Sequence, residues 1–162
     1  MAIKSVNGSI KVGYVYECIF GNFKKINTNE TTTSKHEADF NAYDYNIPIE
    51  INKKRAVVVV GKFKGLYIVV PISSTEDTHR NPKKTGVFRG FHVSIKEIDL
   101  PSAGKYRDSK KRWAKCNLIT TVDGGRLRDI FDEKNNCHIP AHKVSEETLN
   151  LIKKGILKSI GF

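Results

Sequence analysis

Cysteine, methionine and tryptophan are scarce in this chain of 162 residues, which holds three, one and one of them. Three cysteines without regular spacing do not indicate a framework of disulfide bonds. No apolar run approaches the length of about 18 residues that a membrane-spanning helix needs, and the N-terminal sequence MAIKSVNGSIKVG lacks the apolar core of a signal peptide. We therefore expect a cytoplasmic protein with reduced thiols and no membrane association.

Acidic residues are also few relative to basic ones. Lys and Arg together number 28 and Asp and Glu 17, which gives a formal net charge of +11. Most of this excess lies in residues 79–115, which carry eleven Lys or Arg residues and three acids. A balance of this kind favours a polyanionic partner, although two solvated loops would explain the charge alone.

Aromatic residues are interleaved with these cations, at Phe88, Phe91, Tyr106 and Trp113. Cationic loops flanked by aromatic faces suit single-stranded nucleic acid, because phosphates meet Lys and Arg while unpaired bases stack on the rings. The pattern predicts no helix with a dense basic face that could enter a duplex groove. Single-stranded RNA is therefore the polyanion that the sequence favours.

A zinc site is the one metal centre that the sequence suggests. Cys137, His138 and His142 offer three candidate ligands, but no second pair of ligands stands elsewhere in the chain. We interpret them as ordinary loop residues and expect neither a metal nor a cofactor.

Apolar patterns predict one mainly β domain over residues 1–162 with a helix at its end. The expected strands are 9–20 with a bend at Gly13, a hairpin of 56–60 and 66–72, 91–98, and 113–122. Between them lie a first basic loop (75–90) and a second basic loop (100–112). Residues 126–131 fit either a short helix or a strand.

The closing helix has a clear start. Ser145 fits the N-cap, Glu146 and Glu147 suit the first turn, and an apolar stripe follows at Leu149, Ile152, Ile156 and Ile160. Gly155 interrupts this pattern, and in a helix a glycine costs about 1 kcal/mol relative to alanine.

Residues 21–52 differ from the rest of the chain in being polar and nearly neutral, with three Lys and five acids. We expect a long inserted loop with a short helix near 36–43, anchored by Phe40, Tyr43, Tyr45 and Ile47. Loops of this length in a compact domain are usually functional or mobile.

Polar side chains bracket the predicted hairpin. Arg55 precedes its first strand, and Ser73 and Ser74 end its second strand. A hairpin folded about Phe63 would set Arg55 across from Pro71, with its backbone roughly 7 Å from that of Ser73. The guanidinium and the hydroxyl could then share one phosphate, although Arg55 at a strand end and Ser73 at a turn would also fit the pattern.

Five motifs occur in an order that resembles the MazF/PemK family of toxin endoribonucleases. They are Gly13-Tyr14-Val15-Tyr16, Arg55-Ala56-Val57-Val58, Pro71-Ile72-Ser73-Ser74, Phe91-His92-Val93-Ser94-Ile95 and the segment from Trp113-Ala114-Lys115-Cys116-Asn117 to Arg126-Leu127. The similarity covers residues 11–22 and 53–160. It implies a small SH3-like barrel with a C-terminal helix, a homodimer, and a cognate antitoxin that is usually a protein.

The resemblance also implies metal-independent cleavage of single-stranded RNA, including mRNA, at specific sequences. The ribose 2′-hydroxyl would attack its own phosphate and leave a 2′,3′-cyclic phosphate and a 5′-hydroxyl. The implied catalytic residues are Arg55, which would neutralise the phosphorane, Ser73, which would orient the phosphate, and Lys115, which would add charge. The implied RNA-binding residues are Ser74, His79, Lys83, Lys84, Phe91, His92, Asn117 and Thr121.

The chain departs from the family pattern in two places. Ala56 replaces a frequent proline, and Asn117 stands where several members have an aspartate proposed as the general base. That role cannot be carried over, so His79 or His92 becomes the candidate base. Compact members also lack the insertion at 21–52, which we expect to form a flap over the RNA groove.

Two other functions remain open at this point. A catalytically inactive RNA-binding barrel would fit the asparagine at position 117. A protein-targeting poison similar to the CcdB toxins would share the fold without needing the pair of Arg55 and Ser73.

Overall fold

A computed structural model describes residues 6–46 and 50–162 of the chain, and strands dominate in them. The strands are β1 (Tyr14–Ile19), β2 (Phe23–Lys24), β3 (Thr31–Thr32), β4 (Lys54–Phe63), β5 (Leu66–Ser73), β6 (His92–Ile95), β7 (Arg112–Lys115), β8 (Thr120–Asp123), β9 (Leu127–Arg128), β10 (Phe131–Asp132), β11 (Cys137–His138) and β12 (His142–Lys143). An α-helix, α1 (Glu146–Ser159), follows them. None of the helices in the described residues is long and apolar enough to cross a membrane.

The main sheet is antiparallel, with the strand order β12-β1-β4-β5-β7-β6. Strand β8 also pairs with β5, and β9 pairs with β1. Strand β5 therefore pairs with β8 at its beginning and with β7 at its end. The sheet curls into a half-barrel, and α1 packs near β6. The predicted fold class, mainly β with one C-terminal helix, is therefore confirmed.

The valine run of β4 is buried on both faces. Val57 and Val59 belong to one core cluster with Leu127, whereas Val58 belongs to a second cluster with Ile152. Alternation of polar and apolar residues is lost where a strand has core on both sides, which explains the continuous run. The strand leaves the core at its beginning, so Arg55 there is only partly buried.

The predicted strand 113–122 is two strands separated by a bulge. Ala114 pairs with Ile72 and Thr120 pairs with Val69, so five residues on this strand face two on β5. The three extra residues form the 3₁₀ turn Cys116–Leu118. A bulge re-aims side chains and increases local twist, and here it directly follows Lys115 and contains Asn117, two of the predicted site residues.

Several predicted boundaries shift. Strand β1 begins at residue 14 after Gly13, whose φ of +83° makes the expected bend. Strand β6 ends at Ile95, before a 3₁₀ turn at Glu97–Asp99. Of residues 126–131, expected to be a short helix or a strand, Arg126 ends a 3₁₀ turn, and Leu127, Arg128 and Phe131 lie in strands β9 and β10.

The start of α1 agrees with the sequence, but its apolar face differs. Ser145 accepts a hydrogen bond from Thr148 N at 3.3 Å and donates through its own N to Asp99 Oδ1 at 2.6 Å. Ile160, predicted to belong to the stripe, is 60% exposed. A Cβ on Gly155 would lie 2.8 Å from Cys116 Sγ and 3.0 Å from the carbonyl oxygen of Gly90. The glycine is therefore a close-packing position.

Residues 21–46 and 50–52 show that three of the four expected anchors of the insertion are wrong. Phe40 and Tyr43 are 66% and 90% exposed, Tyr45 is also exposed, and Ile47 lies outside the described residues. The expected helix near 36–43 is only a 3₁₀ turn at Lys35–Glu37. The buried side chains of the segment are instead Phe23, Ala38 and Ala42. Phe23 lies in the short ladder of β2 and β3, and Ala38 bridges to Lys25.

Two asparagine amides fix the ends of this segment. Asn46 Nδ2 donates to the carbonyl oxygens of Phe20 and Ile51, at 3.3 and 3.1 Å. Asn52 Nδ2 donates to Thr33 O at 3.0 Å. The aromatic residues singled out in the sequence are exposed, whereas the buried Phe23, Ala38 and Ala42 and the amide hydrogen bonds hold this segment.

Candidate functional site

The register of the β4–β5 hairpin brings Arg55 closer to Ser73 than the sequence predicted. Val57, not Arg55, pairs with Pro71, and the same register extended by two residues sets Arg55 level with Ser73. The prediction was wrong because the turn is centred on Lys64 and Gly65, with φ of +46° and +82°, rather than on Phe63. A bulge between Val59 and Gly61 then moves the pairing back by one residue, so that Arg55 lies level with Ser73 rather than Ser74.

The three residues predicted to be catalytic line one cavity of about 290 Å³, here called the Arg55 cavity. Its walls from the sheet are Arg55, Pro71, Ser73, Thr75, Lys115 and Leu118. Its remaining walls come from Lys35 and from Glu50, Ile51 and Asn52 at the end of segment 21–52. The sequence had given no role to Lys35 or Glu50, because only the fold shows that this segment closes the cavity.

Ser73 is positioned by the backbone that follows it. Its Oγ accepts a hydrogen bond from Thr75 N at 3.1 Å, which turns the chain at the end of β5. Accepting this bond leaves the hydroxyl hydrogen available to donate to a ligand in the cavity. The two interpretations that the sequence left open, a turn residue and a phosphate ligand, are therefore compatible.

A second depression, the His92 cavity, lies on the other side of Lys115 and Thr75 and has a volume of about 640 Å³. Lys84 and Arg89 of the first basic loop line it, together with Glu76, Asp77, Phe91, His92, Lys115, Asn117 and Leu118. Arg89 lies over the ring of Phe91, with its guanidinium carbon 4.8 Å from the ring centroid. Cations, an aromatic face and two acids therefore surround a space of nucleotide size.

A third depression of about 460 Å³, the Thr121 cavity, continues along the bulge. Asn117 and Leu118 line both it and the His92 cavity, and Glu50 and Ile51 line both it and the Arg55 cavity. Leu118 lines all three, so they surround the bulge between β7 and β8.

A chain of hydrogen bonds joins the side chains at the bulge. The Lys115 ammonium donates to Thr75 O at 2.8 Å and contacts His92 Nδ1 at 3.2 Å, and His92 Nε2 contacts Asn117 Oδ1 at 3.0 Å. An ammonium has no lone pair, so Nδ1 of His92 must be the acceptor. The imidazole therefore carries its proton on Nε2 and donates it to Asn117 Oδ1.

Burial and the neighbouring charge set the protonation states of this chain. Burial, together with the Lys115 ammonium, lowers the pKa of His92 below its ordinary value of 6.5, against smaller opposing effects of Asn117 and Asp77. Burial also lowers the pKa of Lys115 from its ordinary value of 10.5, and Asp77 and Glu76 oppose that change. Near pH 7 the pair therefore consists of a neutral imidazole and an ammonium.

The other predicted RNA-binding residues separate into two groups. Lys84, Phe91, Asn117 and Thr121 line the cavities around the bulge. Ser74, His79 and Lys83 are exposed but are not among the residues that line these cavities. His79 Nδ1 accepts from Asn81 N at 3.0 Å within the first basic loop, so of the two histidines considered as a base only His92 lies in a cavity wall.

Two of the aromatic residues interleaved with the cations are buried. Tyr106 and Trp113 belong to the core, so they present no free face to a base, and that part of the sequence interpretation is wrong. The zinc candidates also have separate partners. His138 Nδ1 lies 3.2 Å from Asp129 O, His142 Nε2 lies 2.8 Å from Ile98 O, and Cys137 is an exposed free thiol.

Comparison with known proteins identifies relatives over nearly the whole chain. A model of PemK-like, MazF-like toxins of type II toxin–antitoxin systems matches residues 37–160. The Escherichia coli (strain K12) protein YifN is 34% identical over 161 residues, which cover 96% of this chain and 95% of YifN. A Haemophilus influenzae (strain ATCC 51907 / DSM 11121 / KW20 / Rd) protein is 32% identical over 153 residues, which cover 93% of this chain and 89% of that protein.

Among solved structures, MazF (Form-I) from Deinococcus radiodurans matches with a TM-score of 0.49 and 9% identity, covering 96% of this chain and 100% of that chain. The two sequence relatives bear on segment 21–52. Because each match leaves at most 7% of this chain uncovered, most of the segment has a counterpart in both relatives.

Proposed function

The chain belongs to the family of PemK-like, MazF-like toxins of type II toxin–antitoxin systems, and from this membership we propose that it is an endoribonuclease that cleaves single-stranded RNA. We propose that residues 1–162 form one toxin domain that acts in the cytoplasm without a metal ion. The products would be a 2′,3′-cyclic phosphate and a 5′-hydroxyl.

The observation that carries the proposal is the meeting of Arg55, Ser73 and Lys115 in the Arg55 cavity. Attack of a 2′-hydroxyl on its neighbouring phosphate develops negative charge on the phosphorane oxygens. Cations and donors that are already in place stabilise that charge more than they stabilise the ground state. Arg55 and Lys115 supply the positive charge, and the Ser73 hydroxyl supplies a neutral donor.

The neighbouring cavities give the RNA a path. A phosphate bound in the Arg55 cavity would leave the adjoining nucleotides beside Phe91, Lys84 and Arg89 on one side and Thr121 on the other. Unpaired bases stack on aromatic faces while the backbone follows the cations, which a rigid duplex cannot do in depressions of this shape. Sequence preference would then arise from the polar lining of the same cavities.

Two partners follow from the family. We propose that a second copy of the chain forms a homodimer and that a cognate antitoxin, a protein, occupies the RNA groove. Lys35, Glu50 and Ile51 contribute to the cavity walls, so segment 21–52 would influence which RNA or antitoxin is accepted.

The deciding experiment is incubation of the purified protein with a long single-stranded RNA in EDTA, followed by analysis of the fragment ends. We expect defined fragments with cyclic phosphate and 5′-hydroxyl ends. Arg55→Ala should lower the cleavage rate on the order of 100- to 1,000-fold, because one preorganised contact to the phosphorane is lost. The exposed Lys62→Ala, on the same strand at the far end, is the matched control.

Other outcomes identify the competing functions. Intact RNA with retarded mobility in a gel would indicate a non-catalytic RNA-binding barrel. Neither cleavage nor binding would favour a CcdB-like poison with a protein target. Near-normal cleavage by Arg55→Ala would contradict the site assignment even if the protein is a nuclease.

A further inference from the structure

The position of Asn117 removes the acid that several family members have at the bulge, so the proposed cleavage needs another group to move protons. Lys115 and His92 are the titratable pair in contact at this place, with 3.2 Å between Nζ and Nδ1. Lys115 lines both the Arg55 cavity and the His92 cavity. A phosphate oxygen bound to the Lys115 ammonium would therefore lie within one further contact of the imidazole.

The imidazole of His92 is held by the backbone of the first basic loop. A Cβ on Gly86 would lie 2.4 Å from His92 Cε1 and Nδ1, so only glycine allows this approach. Gly86 N donates to Asp77 Oδ2 at 2.6 Å, and Gly86 O accepts from the N atoms of Phe91 and His92, at 2.8 and 3.0 Å. The loop thus fixes the ring in a single orientation at the cavity wall.

We propose that His92 and Lys115 are the proton-transfer pair of this cleavage, with His92 Nδ1 accepting the 2′-hydroxyl proton and the Lys115 ammonium protonating the 5′-oxygen. This inference rests on the function proposed above and assigns the chemistry that Asn117 cannot perform. Asn117 and Thr75 are positioning residues, because Asn117 Oδ1 fixes the imidazole tautomer and Thr75 O holds the ammonium.

The step balances within the pair. As the O2′–P bond forms, the 2′-hydroxyl proton passes to Nδ1, whose lone pair becomes free when Lys115 turns toward the phosphate. As the P–O5′ bond breaks, the 5′-oxygen takes a proton from Lys115 and leaves as a hydroxyl. The imidazolium then returns a proton from Nδ1 to the neutral amine across the contact observed between them. Both groups regain their starting states, and no net proton is gained or lost.

The charges that face the pair favour these starting states. Lys115 faces His92 from β7 and Asp77 faces it from the first basic loop, and Glu76, Lys84 and Arg89 line the same cavity. Burial and Lys115 lower the pKa of His92, so the accepting, neutral form predominates at pH 7. The cleavage rate should therefore rise with pH as His92 loses its proton, with a midpoint below 6.5. It should fall again at higher pH as Lys115 loses its proton, with a midpoint below 10.5.

The test uses a short RNA that contains one mapped cut site, under single-turnover conditions in EDTA between pH 4.5 and 10. We expect His92→Gln to lower the cleavage rate by about 100-fold or more and to remove the rise at low pH. Lys115→Arg should keep the charge but lose the fall at high pH. His138→Gln, an exposed histidine on β11, is the matched control and should behave as the wild type.

Binding is measured separately with the same RNA carrying a 2′-deoxyribose at the cut site, which cannot react. We expect His92→Gln to bind this RNA with an affinity within a few-fold of the wild type, which separates proton transfer from RNA contact.

A His92→Gln protein that cuts within threefold of the wild-type rate would overturn the assignment of the pair. So would a His92→Gln protein whose loss of affinity equals its loss of rate. A wild-type rate independent of pH from 4.5 to 7 would overturn it without any variant. A wild-type protein that leaves RNA intact would instead overturn the proposed function itself.

Discussion

The first basic loop (75–90) and the second basic loop (100–112) look alike in sequence but use their charges in opposite ways. In the first loop, Lys84 and Arg89 line the His92 cavity. In the second, Arg107 donates two hydrogen bonds to the buried Asp132, at 2.8 and 2.7 Å. The first loop places two cations in a cavity wall, whereas the second uses Arg107 to hold a buried carboxylate.

Arg112 shows the same internal use in more detail. It is buried, donates to Asp108 Oδ1 at 2.8 Å and to the carbonyl oxygens of Lys105 and Lys110, and lies over the ring of Tyr106. A guanidinium has five N–H donors, and a buried one is stable only where they are satisfied. A count of charges therefore indicates where cations are in the chain, but their partners decide whether a phosphate can reach them.

The largest expected effect that separates the two loops is on stability. Arg107→Ala should lower the thermal midpoint by about 10 °C, because it leaves the buried carboxylate of Asp132 without its cationic partner. Cleavage by the fraction that stays folded should not change. Thermal unfolding by circular dichroism measures the change in midpoint. Lys111→Ala, at an exposed position in the same loop, is the control.

The difference in stability between the wild type and Arg107→Ala should also depend on pH. The hydrogen bonds from Arg107, aided by Gly104 N and Asn135, hold the pKa of Asp132 below its ordinary value of 3.8. A lowered pKa in the folded state stabilises the fold above the unfolded pKa, and this contribution is lost as the pH falls through the folded value. The gap between wild type and Arg107→Ala should therefore narrow below pH 4. A gap that stays constant to pH 2.5 would show that Arg107 acts through packing alone.

A second prediction concerns the packing of α1 against the end of the first basic loop, tested through the thermal midpoint of Gly155→Ala. Gly155→Ala would improve helix propensity by about 1 kcal/mol in an exposed helix. Here the new methyl group would press on Cys116 Sγ and on Gly90 O, at the end of the first basic loop. Overpacking should therefore dominate and lower the thermal midpoint by about 5 °C.

The outcome is informative in either direction, since the sequence and the structure predict opposite signs. A raised midpoint would mean that the helix and the bulge can separate without cost. Leu157→Ala, at a half-exposed position on the same helix, is the control for a change of side-chain size away from this contact.

Elements with a strong local pattern were predictable from the sequence. The hairpin β4–β5, the cap of α1 at Ser145 and the location of Arg55 and Ser73 at the same end of the hairpin follow from apolar runs, turn residues and capping rules, but the register that sets Arg55 level with Ser73 was not predicted. The three-residue bulge at Cys116–Leu118 does not, because WAKCNLITTV has the pattern of one continuous strand and only pairing with β5 reveals the excess residues.

Residues whose environment comes from distant parts of the chain were predicted least well. Tyr106 and Trp113 looked available for stacking but are buried, and Phe40 and Tyr43 looked like anchors but are exposed. The contact of His92 with Lys115 joins neighbouring strands and has no signature in the separate motifs. Local chemistry indicated which residue types matter, and tertiary pairing decided where they meet.

The smallest expected effect compares the two loops directly through the salt dependence of RNA binding. Lys84→Gln with Arg89→Gln removes two cations from the wall of the His92 cavity, and Lys110→Gln with Lys111→Gln removes two exposed cations from the second loop. Each phosphate contact with a single strand contributes about −0.7 to the slope of log K against log salt concentration. The first double variant should therefore reduce the magnitude of the slope by about 1.4, and the second should leave it unchanged. The slope is measured with the 2′-deoxy-substituted RNA from 50 to 300 mM KCl.

Equal changes in both variants would mean that RNA follows both loops and that the difference between the loops lies only in Arg107 and Arg112. A change in the second variant alone would move the RNA path away from the His92 cavity.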